Sequence, residues 1–512
     1  MFRQCHPLAA ALCLALLLGA CSRTAAPAPT PAPPVAPPPA PPPPVTQPPA
    51  PPVTAPTAWI DASQSPFAVR GIIEGFFGAP WTQAKRLATL DFLAHVGMNT
   101  YVYAPKDDAY QRSRWRQPYP ESGLPPFRTL LARAAAGGVN FVYSISPGLD
   151  VTYSSAGDRQ ALAAKVEQLR SLGVHTFMLS LDDVPEKLTA ADVARYGQDY
   201  ALAQAELANW LYSTERAAGG AFELWVTPSH YWGVKPDPYL STLGGKLDPA
   251  IALTWTGPDV ISEKLTAADT DTLAAVLRRK PLIWDNYPVN DYTYVQKKMP
   301  RLILGPLRGR EAGLAAHVAG YLLNPMLQAE ASQLPLYTAA AYLAHPAAYD
   351  PATAWREAAQ HLATGPNGAQ ALLDFAAFAQ ISGIYDAEAP QLTAAIAAYQ
   401  QGAAGSAAAL EQRFAAMTTL PDRLQGGIPA GMYDEMAPWI GALQAKGRLG
   451  LLALTVDAAV GRRDAGTVKA KLPELEQSLA AVKAGNAKAY IAILLVENFA
   501  AQVVTRARAL AG

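Results

Sequence analysis

The chain has 512 residues, with 41 Lys plus Arg balanced by 41 Asp plus Glu, so its charge carries no footprint for nucleic acid or another polyanion. Half of it is apolar, with 10 Trp and 22 Tyr, enough for a large core and for rings to spare around a pocket. The three cysteines (Cys5, Cys13, Cys21) lie in the first 21 residues and the seven histidines lack HxH or HExxH spacing. The body therefore has no disulfide framework, thiol nucleophile or cysteine metal site, and the pattern argues against a catalytic zinc.

In chain order, the first element is a targeting segment. Arg3 precedes the apolar run PLAAALCLALLLGA, too short for a comfortable membrane span. Leu18-Gly19-Ala20-Cys21 resembles a bacterial lipoprotein signal, with residues 1–20 removed and Cys21 lipidated. Ala20 would also suit an ordinary secretory peptidase. Ser22, not Asp, follows the cysteine, which in a Gram-negative cell points to the outer membrane. The expectation is a lipid-anchored protein of the cell envelope, on its periplasmic or surface face. Residues 27–56 contain 17 prolines, and no charge falls between Arg23 and Asp61. Such a stretch cannot build a core, so residues 21–57 read as a polyproline-II tether. At ~3.1 Å per residue its proline-rich stretch, residues 27–56, reaches up to roughly 90 Å.

Next come short β-rich runs alternating with helical ones. The expected strands are VRGII from Val69, NTYVYA from Asn99, NFVYSIS from Asn140, HTFMLSL from His175, FELWVT from Phe222, IALTW from Ile251, PLIW from Pro281 and LILG from Leu302. Between them, segments such as TQAKRLATLDFLAHVG and RQALAAKVEQLRSLG repeat apolar residues at helical spacing and end at glycine. Eightfold alternation over about 250 residues predicts an α/β fold, a (β/α)8 barrel, over residues 58–327. A doubly wound sheet is the competitor, but no GxGxxG follows the first strand. From residue 328 to 512 strand runs give way to Ala-rich amphipathic stretches, which predict a helical bundle.

Barrel enzymes carry their chemistry at the C-terminal ends of the strands. Those ends hold GIIEGFFGAPWT, APKDDAY, LSLDDVPE, TPSHYWG, TWTGPDV and IWDNYPVNDY, followed by Asn324 in NPM. The pair Asp182-Asp183 raises a physical question, because adjacent carboxylates disfavour joint ionisation and one pKa should rise. A carboxylic acid that keeps its proton near neutrality is what glycoside chemistry uses. The alternative is a solvated turn or helix cap. Taken singly, each Asn or Asp reads equally well as a cap, and each Trp as core. Consecutive strand residues face opposite ways, so for both aspartates to reach one ligand they must lie just past the last ladder residue.

These motifs, in this order from Val69 to Asn324, resemble glycoside hydrolase family 84, the β-N-acetylglucosaminidases that include protein O-GlcNAcases and some hyaluronidases. Phe77 and Ala79 depart from the commoner GFYGRPW, and TPSHYWG is a looser match. The resemblance implies a retaining exo-enzyme that removes terminal β-linked N-acetylglucosamine, including O-GlcNAc-type glycosides, by substrate assistance through an oxazoline. It implies no cofactor or metal. Asp183 would be the general acid and then the base, and Asp182 would accept the acetamido N–H. Tyr231 would hold the acetamido oxygen, with Asn286 and Trp284 against that group. Lys106, Asp291, Asn324 and the Gly71 carbonyl would hold the sugar hydroxyls. The partner would be an N-acetylglucosamine-containing glycan or glycoconjugate. The alternatives are an endo-acting hyaluronidase-like hexosaminidase and an inactive glycan-binding lipoprotein.

Overall fold

A computed structural model of the chain describes residues 57–292, 301–385, 389–492 and 494–511. The expected signal segment 1–20, Cys21 and the expected tether up to residue 56 lie outside the described residues. Eight parallel strands close into a barrel in sequential order. They are β1 (Arg70–Glu74), β2 (Thr100–Tyr103), β3 (Asn140–Ile145), β4 (Thr176–Ser180), β5 (Glu223–Thr227), β6 (Ala252–Trp255), β7 (Leu282–Asp285) and β8 (Gly320–Leu323). β8 closes the ring by pairing with both β7 and β1.

Seven strands fall where the β-rich runs predict; the eighth does not. LILG from Leu302 is buried, but it is not a strand, and β8 lies downstream at Gly320–Leu323. Two physical reasons separate them. The Leu304 N–H donates to the Ala379 carbonyl at 2.7 Å, so this run is bonded to the helical region and not to a strand. At Gly320 a Cβ would come 2.5 Å from the Val69 Cβ, so glycine permits the close approach that closes the barrel.

Alternation along the strands sorts the core into two layers. Ile73, Val102, Val142, Met178, Trp284 and Leu322 pack together inside the barrel. The intervening Ile72, Tyr101, Tyr143, Phe177, Ile283 and Tyr321 join the larger cluster under the surrounding helices. Those helices start at residues whose side chains accept from the first turn, as Thr82, Ser155 and Thr266 do.

After β8 the described chain is helical. Helices Ser406–Leu424, Ala430–Gly461, Ala465–Gly485 and Leu495–Ala511 pack against one another. The last begins later than its sequence periodicity suggests, leaving Ala489–Ala492 buried but non-helical. Among the described residues no helix is long and apolar enough to cross a membrane.

Candidate active site

Continuing the strands' inward faces past their ends, by one step or, at β2, by two, builds the site. β1 adds Gly75, β2 adds Lys106, β4 adds Asp182, β7 adds Asn286 and β8 adds Asn324, all lining one cavity of about 420 Å³ at the C-terminal mouth. Thr227 on β5 and Thr256 past β6 add to the lining. Apolar wall comes from Phe77, Val260, Ile261, Trp284, Val289 and Tyr292.

Asp182 follows Met178 and Ser180 in the inward register, just beyond the last β4 ladder bond, where Leu181 N–H donates to the Thr227 carbonyl at 2.9 Å. Regular backbone would turn Asp183 away. Instead Asp183 has φ +52°, a left-handed conformation uncommon for a non-glycine residue, and its carboxylate lines the cavity with that of Asp182.

The two carboxylates differ in surroundings. Asp182 is 4% exposed, and its Oδ2 accepts from the ammonium of Lys106, itself buried. Its Oδ1 is buried with no hydrogen-bond partner among the described residues. Asp183 opens to the cavity; its Oδ1 accepts from the Tyr231 hydroxyl at 3.0 Å. The residue is exposed at the rim, and partial desolvation within the cavity is the first cause that raises its pKa. The negative charge of Asp182 raises it further, against the opposing pull of Lys106, Tyr231 and Arg112. Asp183 therefore holds its proton more tightly than an ordinary carboxylate.

Asp291 faces the pair across the cavity. Its Oδ2 accepts from the Phe77 N–H at 2.9 Å, and burial pushes its pKa up. Asn286 is held firmly: its Oδ1 accepts from Trp284 Nε1 and from Asn324 Nδ2, each at 2.9 Å, and its Nδ2 donates to the Val260 carbonyl at 2.8 Å.

The structure thus gathers Lys106, Asp182, Asp183, Tyr231, Trp284, Asn286, Asp291 and Asn324 around one cavity. Gly71 is not among them. It lies low in β1, paired with Thr100 and Leu322, where a Cβ would come 1.9 Å from the Thr100 carbonyl oxygen, so its glycine serves strand packing. The cavity is bordered by Gly75. Other residues at the strand ends serve the frame. Trp255 is buried and donates to the Gly233 carbonyl at 3.0 Å. Asp108 accepts from the hydroxyls of Tyr103 and Tyr119 at 2.7 Å each. Asp285 pairs with Arg310 at 2.6 Å. Motif reading missed Thr227 and Thr256; following the two-residue period to the end of β5 and past β6 finds both.

The sequence model of the family described as beta-N-acetylglucosaminidase matches residues 70–377. The protein O-GlcNAcases of Rattus norvegicus and Mus musculus are each 35% identical over 278 residues, covering 53% of this chain and 29% of theirs. The match thus spans less than a third of those curated relatives. Among solved structures, a mutant O-GlcNAc hydrolase of Thermobaculum terrenum superposes with a TM-score of 0.81 at 31% identity, covering 86% of this chain and 95% of that one. CpGH84B gives a TM-score of 0.75 at 27% identity, covering 86% and 77%. With a family match over the whole barrel and the first helices after it, and a likeness that extends over nearly the whole of a solved hydrolase, the chain belongs to the β-N-acetylglucosaminidases of glycoside hydrolase family 84.

Proposed function

We propose that the protein is a retaining exo-β-N-acetylglucosaminidase that hydrolyses terminal β-linked N-acetylglucosamine, including O-GlcNAc-type glycosides, by substrate-assisted catalysis. One observation carries the reading: a buried carboxylate oxygen, Asp182 Oδ1, has no donor among the described residues, beside an aspartic acid whose pKa is raised. An unsatisfied buried acceptor is costly, and an amide N–H from a ligand relieves that cost. A 2-acetamido group supplies such a donor.

In this reading Asp182, held by the Lys106 ammonium, accepts the acetamido N–H. That hydrogen bond gives the acetamido oxygen more negative character, and Tyr231 turns from Asp183 to align it. The oxygen attacks C1 while the C1–O glycosidic bond breaks, and the Asp183 proton passes to the departing oxygen. Water then attacks C1 and gives its proton to Asp183, and the oxazoline C1–O bond opens. Two inversions retain the configuration. The wall of Trp284 and the fixed amide of Asn286 bound the acetamido group, while Lys106, Asp291, Asn324 and the main chain at Gly75 border the sugar hydroxyls. The relatives named as O-GlcNAcases support a glycoconjugate substrate. Envelope anchoring through Cys21 belongs to the same proposal and rests on the signal sequence.

Hydrolysis of 4-nitrophenyl β-N-acetylglucosaminide tests this, with N-fluoroacetyl substrates and Asp183→Asn beside it. Turnover should fall with each fluorine added, because the acetamido oxygen becomes a poorer nucleophile. Asp183→Asn should lose about 10²–10⁴-fold, the usual share of general acid–base catalysis. No wild-type turnover, or rates indifferent to fluorine, would refute the substrate-assisted exo-enzyme.

A further inference from the structure

Arg112 is a buried cation with an unusual use. It is 8% exposed, yet among the described residues no carboxylate lies within ion-pair distance of it. Buried charges are ordinarily paired, because leaving water is costly. This guanidinium instead donates from Nη2 to the main-chain carbonyl of Asp183 at 2.7 Å. Its Nη1 donates to Ser146 Oγ at 3.3 Å, and its centre lies 5.7 Å from the Phe77 ring centroid.

The carbonyl that it grips belongs to the residue with φ +52°. Without that turn, strand alternation would send the carboxylate of Asp183 away from that of Asp182. The anchor is itself well founded. Arg112 N–H donates to the Asp108 carbonyl at 3.2 Å, and Ser146 N–H donates to the Gln111 carbonyl at 2.9 Å, tying the segment to the end of β3. Gln111 continues the tie by donating to Ser144 Oγ at 3.3 Å, and Ser144 bonds Ser180 on β4 at 2.8 Å. A planar fork reaching two acceptors fixes direction as well as distance, which an ammonium cannot do.

We propose that Arg112 is a positioning residue for the acid: its guanidinium holds the Asp183 main chain in the left-handed turn that brings this carboxylate into the cavity beside Asp182. The proposal rests on Asp183 being the acid. A misplaced acid delivers its proton poorly, and that matters most when the departing oxygen is basic.

The test compares wild type, Arg112→Gln, Arg112→Lys and Asp183→Asn on two aryl β-N-acetylglucosaminides, one with a very acidic leaving group and one with a weakly acidic one. The readout is kcat/KM, which reports the step in which the acid acts. Arg112→Gln should lose about 10- to 100-fold on the weakly acidic leaving group, part of what full removal of a general acid costs, and less than about 3-fold on the acidic one. Arg112→Lys should recover part of the difference. Equal losses on both substrates, or none, would overturn the proposal, because a merely structural role lowers both alike. If Arg112→Gln does not fold, Arg112→Lys decides by the same criterion. Asp183→Asn separates the two levels: leaving-group dependence there but not at Arg112 refutes only the positioning role, and its absence at Asp183 refutes the acid assignment and the proposal with it.

Discussion

Asp182 and Asp183 share a peptide bond but not an environment. Lys106 compensates Asp182, while Asp183 sits among enclosing walls and beside another carboxylate. A raised carboxylate pKa means that the folded protein binds more protons than the unfolded chain between the two pKa values. Stability therefore falls as pH rises from the unfolded value of about 3.9 through the folded one. Asparagine at 183 removes this loss and also tolerates φ > 0. Asp183→Asn should thus melt at a higher temperature than wild type at pH 7, with the gain shrinking toward pH 4; thermal scans at the two pH values check it. At this scale the aspartates were legible in the sequence because two adjacent carboxylates after an apolar run pose a charge problem. Gly71 was misjudged against Gly75 because nothing in GIIEGFF marks where the ladder ends.

Strand ends are the elements that make the site, and buried polar networks fix two of them. At the end of β7, Asp285 alternates outward, where Arg310 donates to it with both side chains 1% exposed. The main-chain carbonyl of Asp285 accepts from Asn324 N–H at 2.8 Å, so the same residue sets β8 beside Asn286. Removing one member of a buried pair leaves the other uncompensated, at a cost of about 3–5 kcal/mol. Arg310→Met should lower the denaturation midpoint accordingly and weaken sugar binding, read from urea unfolding and KM. Glu74 is set the same way against Arg86 at 2.8 Å, and its Oε1 accepts from the Trp81 N–H at 3.0 Å. The first seven strands were legible as β-branched and aromatic runs. β8 was not, since GYLL is short and opens on glycine, and LILG is the more strand-like of the two.

Across the whole molecule the barrel leans on the helices that follow it. Trp355 Nε1 donates to the Leu304 carbonyl at 2.8 Å, Leu307 N–H donates to Thr338 Oγ1 at 2.9 Å, and Tyr349 donates to the Leu307 carbonyl at 2.7 Å. Glu435 of the long helix accepts from the main-chain N–H groups of Ala329, Glu330 and Ala331 at 3.1, 2.8 and 3.0 Å and pairs with Lys85 at 2.6 Å. Cutting the chain after residue 327 leaves Lys85 and the main-chain groups of Leu304 and Leu307 without these partners and exposes apolar surface. Residues 58–327 alone should fail to give a cooperative thermal transition, whereas 58–512 should give one; calorimetry of the two fragments decides. The sequence by itself determined the alternation of strand and helix, the change to helices after the barrel, and the residue types at the strand ends. Those follow from local periodicity and side-chain chemistry, which each segment carries alone. Only the tertiary structure decided which run closes the barrel, which glycine borders the cavity, and how two neighbouring aspartates come to line one cavity. Each depends on a contact between segments distant in sequence: Gly320 against Val69, Trp284 against Gly75, and Arg112 on the carbonyl of Asp183.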